Sequence, residues 1–588
     1  MRRIQKFFAL VAAASLTACA ATPPPGRSPT LTRAQPLVIA ANPLAAEAGI
    51  EVLRRGGSAV DAAVAVQAML SLVEPQSSGI GGGGFLVMDD GKGRVETIDG
   101  RETAPAAAHP RWFETSGQFL AVRQAIPGGR SVGVPGNVAL MAAAHKRHGR
   151  LAWRRLFAPA IRLARDGFAV TPRFHEFLTR YQVDPAMPPE LRDLSYLASG
   201  GAAFSAESRA LYYTADGRPQ PIGTAIRNPA LAAFLTELAA QGPRAFYTGA
   251  NAAAIARAVS TAPRAPAPMT VADLAGYTAK LRDPVCGFYR AWRLCGMGPP
   301  SSGATTVLGI LGLLERFDLA ALGKDSPTAW HLIAEAQRLA YADRERYLAD
   351  ADFVPVPVAG LLAPAYLAER AQLIAPDRSM AAVSPGTPAG APLAQADTVT
   401  PDVPSTSHFV AIDRRGQVVS LTSTIESSFG SGLMVSGYFL NNELTDFSME
   451  PERGGKPVAN RVEAGKRPRS SMSPTLLYAP GGGLRLAIGA AGGSTIPAQV
   501  VKAIIGVIDW RLSAQDAIAL PVIFAPGGDA VFIEAGSRLE AMAPALRALG
   551  HAAVTPRAMP LKANAVEVVD GVLKGAADPR SEGRSVAE

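Results

Sequence analysis

The stretch Thr406-Ser-His-Phe-Val-Ala-Ile-Asp413 predicts a β-strand, and the residues after it predict the second strand of a hairpin. β-Branched and aromatic residues favour strands. Arg414-Arg415-Gly416 forms a plausible three-residue loop, because its glycine can adopt a positive φ. Counting outward from the middle of this loop places Thr406 opposite Thr424. The hairpin therefore brings two hydroxyl groups together where its first strand begins.

The hydroxyl of Thr406 becomes a useful nucleophile only if a base accepts its proton. Its own α-amino group is such a base, but that group exists only if the chain is cut before Thr406. An α-amine has a pKa near ~8, so part of it is unprotonated at neutral pH. Residues 377–405, rich in Ser, Pro, Thr, Gly and Ala, predict a linker or flexible loop directly before this point. The alternative is that both threonines are ordinary half-buried strand residues.

Three further segments suggest a site that stabilises an oxyanion and binds the head group of an α-amino acid. The backbone N–H groups of Gly492 and Gly493, before a predicted helix over 496–508, could stabilise an oxyanion. Ser470 and Ser471 follow basic residues and suit a carboxylate. Two acidic side chains, Glu443 and Asp446, lie at the end of a strand predicted over 434–441 and suit an ammonium group. Taken one at a time, the three segments have ordinary alternatives: a flexible turn at the glycines, a polar loop at the serines and solvated charges at the two acids.

Together these segments resemble the gamma-glutamyltransferase family over about residues 36–585. The motifs that carry the resemblance are Gly56-Gly-Ser-Ala-Val-Asp-Ala-Ala63, Ser78-Gly-Ile-Gly-Gly-Gly-Gly84, Pro299-Pro-Ser-Ser-Gly303, Thr406-Ser-His408, Asn441-Asn442 with Asp446-Phe447-Ser448, and Ser470-Ser-Met-Ser-Pro474. The resemblance implies an α+β fold of the N-terminal-nucleophile hydrolase type, a four-layer αββα sandwich with two central antiparallel sheets. It also implies self-cleavage between Ser405 and Thr406.

By this resemblance, a large subunit (34–405) and a small subunit (406–588) form a heterodimer that needs no cofactor. The implied reaction is attack of Thr406 on a gamma-glutamyl amide such as glutathione, followed by transfer of the glutamyl ester to water or to an amino acid or peptide amine. The implied roles are Thr406 as nucleophile and general base, Thr424 as its support, Gly492 and Gly493 as oxyanion donors, Arg101, Ser470 and Ser471 as α-carboxylate binders, and Glu443 and Asp446 as α-amino binders.

Two departures concern the substrate. Glu426 stands where the family commonly has Asn, so three carboxylates would surround one ammonium group and raise the pKa of at least one of them. Residues 448–465 are short and contain no aromatic residue, which predicts a reduced lid. The alternatives are a cephalosporin- or glutaryl-acylase-like amidase on the same fold, or a non-catalytic surface lipoprotein.

The N-terminus resembles a lipoprotein signal. Positive charges precede a short apolar run over 7–16, and Leu16-Thr-Ala-Cys19 resembles a bacterial lipobox. This implies a signal peptide over 1–18, lipidation of Cys19, a tether over 19–33 and, because Ala20 follows, sorting to the outer membrane on its periplasmic side. The alternative is an ordinary signal peptide cut near Ala20.

The remaining composition excludes some classes and leaves one pairing open. The net charge of +9 falls to +6 without the three cations of the leader, and no basic stripe indicates nucleic-acid binding. Seven histidines and three cysteines show no metal-ligand spacing, and the glycine run 78–84 lacks the Lys-Ser/Thr of a phosphate loop. Cys286 and Cys295 lie opposite each other in a predicted hairpin that turns at Arg290-Ala291, as a disulfide or as two buried thiols.

Overall fold

A computed structural model describes residues 35–180, 204–392, 395–397 and 405–588 of the protein. The predicted signal peptide, Cys19 and the tether lie outside these residues. Two antiparallel sheets lie at the centre. The first has seven strands in the order Arg584–Ala587, Leu37–Ala40, Ser407–Ile412, Val418–Thr424, Gly83–Asp89, Val95–Gly100 and Lys280–Arg282. The second has six, in the order Val572–Ala577, Lys562–Val569, Leu484–Ala491, Thr475–Tyr478, Trp292–Gly296 and Val285–Tyr289.

The side chains of the first sheet alternate between two buried layers, as the period of a strand requires. Val410 and Ile412 pack between the two sheets with side chains of the second sheet such as Ala487 and Val566. Phe409 and Ala411 face the other way and pack against helices. Because both faces are apolar, the nucleophile strand (Ser407–Ile412) is buried along its whole length.

Helices cover the outer face of each sheet. One layer begins with the helices Pro43–Arg54 and Ala59–Val73, the second capped by Ser58 and Asp61 in a capping box. The outer face of the second sheet packs against Gly303–Leu314, Pro327–Tyr347 and Ile496–Ile508. The other described α-helices are Val122–Ala125, Asn137–His148, Ala158–Asp166, Pro172–Arg180, Ala206–Tyr212, Pro229–Gln241, Arg244–Tyr247, Gly249–Ser260, Val271–Ala275, Leu319–Leu322, Val358–Leu361, Pro364–Ala371, Ala514–Ala519 and Leu539–Ala548. The predicted αββα sandwich is confirmed.

Short strands form the remaining pairs. They are Glu114–Thr115 with Gln118–Phe119, Phe168–Ala169 with Ala225–Ile226, Met434–Val435 with Tyr438–Phe439, Glu452–Arg453 with Lys456–Pro457, and a sheet of Ile523–Phe524, Ala530–Glu534 and Ala553–Arg557. A single strand over 434–441 was therefore the wrong prediction. The chain reverses within it, because Ser436 and Gly437 both adopt positive φ and form a tight turn.

Both predicted hairpins have the expected register. Ser407 pairs with Ser423 around a loop in which Gly416 has a φ of 77°. Tyr289 pairs with Trp292, and Cys286 forms a disulfide with Cys295 directly across the two strands. The described parts of the linker contain no helix or extended strand. No helix in the part of the chain that the structure describes is both long and apolar enough to cross a membrane.

Candidate active site

Thr406 and Thr424 meet at the end of the hairpin, as the count from its loop predicts. Their Oγ1 atoms lie 3.3 Å apart, and both residues are buried. In the continuous chain, both hydroxyls are placed to donate to the carbonyl oxygen of Ser405, at 2.5 Å and 2.8 Å. Thr424 also accepts the backbone N–H of Glu426 at 2.8 Å. The predicted scissile bond is thus surrounded by one candidate nucleophile and one fixed hydroxyl donor.

The glycine run 78–84 brings a loop close to this bond. A Cβ at Gly82 would lie 1.9 Å from the carbonyl oxygen of Thr424, so only glycine allows this approach. The Oγ of Ser405 donates to the carbonyl of Gln76 at 2.6 Å. The run therefore packs the backbone of the hairpin, which agrees with its not being a phosphate loop.

Gly492 and Gly493 form the turn between the strand Leu484–Ala491 and the helix Ile496–Ile508. Their φ values are 133° and 59°, conformations that favour glycine. The carbonyl of Gly492 accepts the Oγ1–H of Thr495 at 2.8 Å, which fixes the turn. Gly493 lines the same pocket as Thr406. Their role as oxyanion donors stays a prediction.

The acidic residues and Arg101 form one buried cluster. The guanidinium of Arg101 pairs with Glu443 through Nη1 and with Asp446 through Nη2. The two acids face it together because they lie three residues apart in the 3₁₀ turn Glu443–Asp446. Arg101 also donates to the carbonyls of Pro468 and Arg469. Arg101, which the resemblance implies as an α-carboxylate binder, thus pairs directly with the two implied α-amino binders.

Glu426 joins this cluster. Its backbone has a φ of 75°, and its Oε2 accepts the Nδ2–H of Asn442 at 2.6 Å. Burial, followed by the charges of Asp446 and Glu443, raises the pKa of Glu426 well above its usual value. Burial also raises the pKa of Glu443 to about 7, although Arg101 opposes this shift. The crowding of three carboxylates that the sequence predicts is present.

Sequence reasoning missed a fourth carboxylate, Glu102. It is buried beside Arg101, with its Oε2 3.8 Å from Nη1 of that residue. Burial, followed by the charge of Glu443, raises the pKa of Glu102 well above its usual value. Its position directly after Arg101 was the signal available in the sequence. Four carboxylates around one guanidinium leave this end of the pocket with an excess of acidic groups.

Ser470 and Ser471 line the same pocket, directly after Arg469, whose carbonyl accepts a hydrogen bond from Arg101. The Oγ of Ser470 accepts the backbone N–H of Met472 at 3.2 Å, and the Oγ of Ser471 accepts an N–H of Arg344 at 2.7 Å. Each oxygen already accepts a hydrogen bond, so each hydroxyl keeps its proton for a ligand. Two serine donors are suited to a carboxylate, as the sequence predicts.

The short segment after Asp446 forms the rim of the site. It contains the exposed pair Glu452–Arg453 and Lys456–Pro457. The side chain of Asn460 donates to the carbonyl of Asp446 and accepts the N–H of Arg469. This rim thus connects Asp446 of the acidic cluster with Arg469 beside the two serines, although it was predicted only as a reduced lid.

Most of these groups line one pocket, but Gly492 and Glu102 do not line it. Its lining includes Arg101, Arg344, Ser405, Thr406, Thr424, Glu426, Glu443, Asp446, Arg469, Ser470, Ser471 and Gly493. A family model described as Gamma-glutamyltranspeptidase matches residues 45–588. The chain belongs to the gamma-glutamyltranspeptidase family.

Relatives of this transpeptidase-family chain carry two kinds of name. Glutathione hydrolase proenzyme of Bacillus subtilis (strain 168) is 34% identical over 565 residues, 94% of this chain and 91% of that protein. Acylase ACY 1 proenzyme of Pseudomonas sp. (strain V22) is 34% identical over 569 residues, 95% and 94% of the two chains. Cephalosporin acylase from Bacillus halodurans superposes with a TM-score of 0.80 at 25% identity, covering 96% of this chain and 98% of that chain.

One group outside the pocket has the composition of a metal site. His331, Glu335 and His551 bring potential ligand atoms within 4.8 Å of one another. However, Nδ1 of His331 lies 2.7 Å from Nε2 of His551, which is a hydrogen-bond distance. The two carboxylate oxygens of Glu335 accept N–H groups of Arg338 and Met380, each at 2.7 Å. Direct hydrogen bonds thus account for this cluster of His331, Glu335 and His551, which residue spacing did not reveal.

Proposed function

We propose that this chain is a self-processing gamma-glutamyltransferase and glutathione hydrolase. One observation carries the proposal: Thr406 shares a pocket with hydroxyl donors suited to a carboxylate and with carboxylates suited to an ammonium group. An acyl group with both charges, such as gamma-glutamyl, fits this arrangement. Family membership and the glutathione hydrolase relatives support the same reaction.

Processing and catalysis use the same hydroxyl in this proposal. In the precursor, the Oγ of Thr406 attacks the carbonyl carbon of Ser405, while Thr424 donates to the carbonyl oxygen. The C–N bond between Ser405 and Thr406 then breaks and the hydroxyl proton passes to the nitrogen, which frees the α-amine of Thr406 and leaves Ser405 as an ester on its Oγ. Water hydrolyses this ester and separates the two chains. The free amine then accepts the hydroxyl proton when Thr406 attacks a substrate amide. The leaving amine departs with a proton, and water or an acceptor amine releases the acyl group from its ester.

An acylase acting on glutaryl-type amides is the second candidate. It is favoured by the crowding of Glu426, Glu443 and Asp446, which lets some of them remain protonated and bind a neutral group. The 34% identity to Acylase ACY 1 proenzyme supports it equally. The two candidates differ in one chemical feature, because a glutaryl group lacks the ammonium of gamma-glutamyl.

Hydrolysis of matched p-nitroanilides separates the two candidates. We expect kcat/KM for the gamma-glutamyl compound to exceed that for the glutaryl compound by about tenfold to a hundredfold, since hydrogen bonds to charged groups contribute ~1.5–3 kcal/mol. Glu426→Gln should reduce this ratio. A wild-type preference for the glutaryl compound would establish the acylase alternative.

We also propose that the protein is attached to the periplasmic side of the outer membrane through Cys19. The charged leader, the apolar run and Leu16-Thr-Ala-Cys19 support this location. Wild-type protein should sediment with outer-membrane vesicles, whereas Cys19→Ala should be released as soluble protein. Equal release of both proteins would refute the anchor.

A further inference from the structure

Arg344 reaches the active-site pocket from the helix Pro327–Tyr347. Its side chain is 1% exposed. The Nε donates to the Oγ of Ser302 at 2.9 Å, and Nη2 donates to the Oγ of Ser471 at 2.7 Å. Nη1 pairs with Glu345. Three different groups therefore fix the plane of this guanidinium.

The hydrogen bond to Ser471 decides what that hydroxyl can do. A serine hydroxyl has one proton to donate and two lone pairs that accept. Since Arg344 offers only donors, the Ser471 oxygen must accept, and its proton points away from the guanidinium. Both residues line the pocket. Without Arg344, the hydroxyl would be free to rotate and to donate elsewhere.

Arg344 also holds the backbone on which both serines lie. Ser302 accepts from Arg344 and donates its hydroxyl to the carbonyl of Ser470 at 2.7 Å. The backbone N–H of Ser302 donates to the same carbonyl at 2.8 Å. Ser301 donates its hydroxyl to the carbonyl of Met472 at 2.7 Å. The motif Pro299–Gly303, to which the sequence assigned no role, therefore supports the serine loop.

A second buried cation, Arg469, lies beside Arg344. Both guanidinium groups pair with the carboxylate of Glu345. Burial lowers the pKa of Arg469 to about 10, and the charge of Arg344 acts in the same direction, although Glu345 opposes this shift. Positive charge therefore lies close to the loop that carries Ser470 and Ser471.

We propose that Arg344 is a positioning residue for recognition of the acyl-group carboxylate, acting through the hydroxyl of Ser471 and the Ser302–Ser470 contact. The inference rests on the proposed function, because its ligand is the carboxylate of the acyl group. It applies to any acyl group with that carboxylate, gamma-glutamyl or glutaryl. An acyl group without the carboxylate gains nothing from Arg344.

Three p-nitroanilides test this role: gamma-glutamyl, glutaryl (no ammonium) and 4-aminobutyryl (no carboxylate). Arg344→Met should lower kcat/KM for the first two by about tenfold or more and leave the third within about twofold, as expected for the loss of a charge-assisted hydrogen bond. Arg344→Lys keeps one donor and should recover part of the loss. If Arg344→Met does not fold, Ser302→Ala replaces it and should show the same pattern of losses with smaller factors.

Arg338→Met is the matched control, because it removes another buried arginine of the same helix outside the pocket. It should change the three substrates in equal proportion. Calorimetric binding of L-glutamate and of 4-aminobutanoate, the acid products of the first and third substrates, repeats the carboxylate comparison without turnover.

An equal loss on all three substrates by Arg344→Met, or no loss on any, would overturn the inference. So would binding of L-glutamate with the same affinity by wild type and variant. A glutaryl preference in wild type would instead refute only the glutathione hydrolase assignment.

Discussion

Replacing Thr424 with Val tests how the precursor is cut. The variant keeps the shape of the side chain and removes the hydroxyl that donates to the carbonyl of Ser405 at 2.8 Å. That carbonyl becomes an oxyanion when Thr406 attacks. Loss of one donor to a developing oxyanion costs about 10²–10³ in rate, or ~3–4 kcal/mol. Self-cleavage should therefore slow by about that factor.

The same change affects stability, which must be separated from catalysis. The backbone N–H of Glu426 loses its acceptor, at a cost of about 1–3 kcal/mol in the free energy of unfolding. Thr422→Val is the matched control: its Oγ1 lies 2.9 Å from Nδ1 of His408, in the same strand and equally buried. We expect Thr422→Val to lose similar stability and to be cut at the wild-type rate.

The assay is a time course of newly purified precursor on a denaturing gel, with urea unfolding of each variant alongside. Thr424→Ser should be cut at close to the wild-type rate, because it restores the hydroxyl. Wild-type cleavage by Thr424→Val would refute the role of this hydroxyl. Equal slowing by Thr422→Val would show that loss of stability, not loss of the donor, is responsible.

Three further predictions concern the surroundings of the site. The pKa of Glu443 is raised by folding, so its stabilising contribution is complete below pH 4.5 and is lost as pH rises through about 7. Glu426→Gln removes a neighbouring carboxylate and should stabilise the empty protein by about 1–2 kcal/mol at pH 8 but not at pH 4; an equal shift in thermal unfolding at both pH values would contradict this. Glu74→Gln removes the ion-pair partner of the buried Lys562 and should lower the free energy of unfolding in urea by about 3–5 kcal/mol. Adding Lys562→Met to this variant should recover most of the loss, whereas additive losses in the double variant would exclude the ion pair. Gly492→Ala places a Cβ 2.5 Å from the carbonyl oxygen of Pro560 and should lower kcat at least about 10²-fold. The control Gly482→Ala is also at positive φ but has open space around it, so it should retain activity. Full activity of Gly492→Ala would exclude the oxyanion role.

Local rules predicted the hairpin of Thr406 and Thr424, because the two-residue period of strands and the loop before Gly416 fix its register. The same rules failed at 434–441, where a serine followed by one glycine was enough to reverse the chain. They also failed to show the direct pairing of Arg101 with Glu443, which are 342 residues apart.

Burial explains most of what the sequence did not reveal. The fold buries Glu102 beside Arg101 and places Arg344 in the wall of the pocket, and the sequence shows neither position. A charge on a helix or after a strand is usually exposed, and only tertiary contacts distinguish it from a buried one. The histidine pair His331 and His551 is formed in the same way, by elements far apart in the chain.

N-terminal sequencing of the smaller fragment tests most directly that Thr406 is the nucleophile released by self-cleavage. We expect this fragment to begin with Thr406, and Thr406→Ala to stay a single inactive chain of 588 residues less any removed leader. A fragment that begins at another residue, or cleavage that persists in Thr406→Ala, would contradict the assignment of Thr406 as this nucleophile.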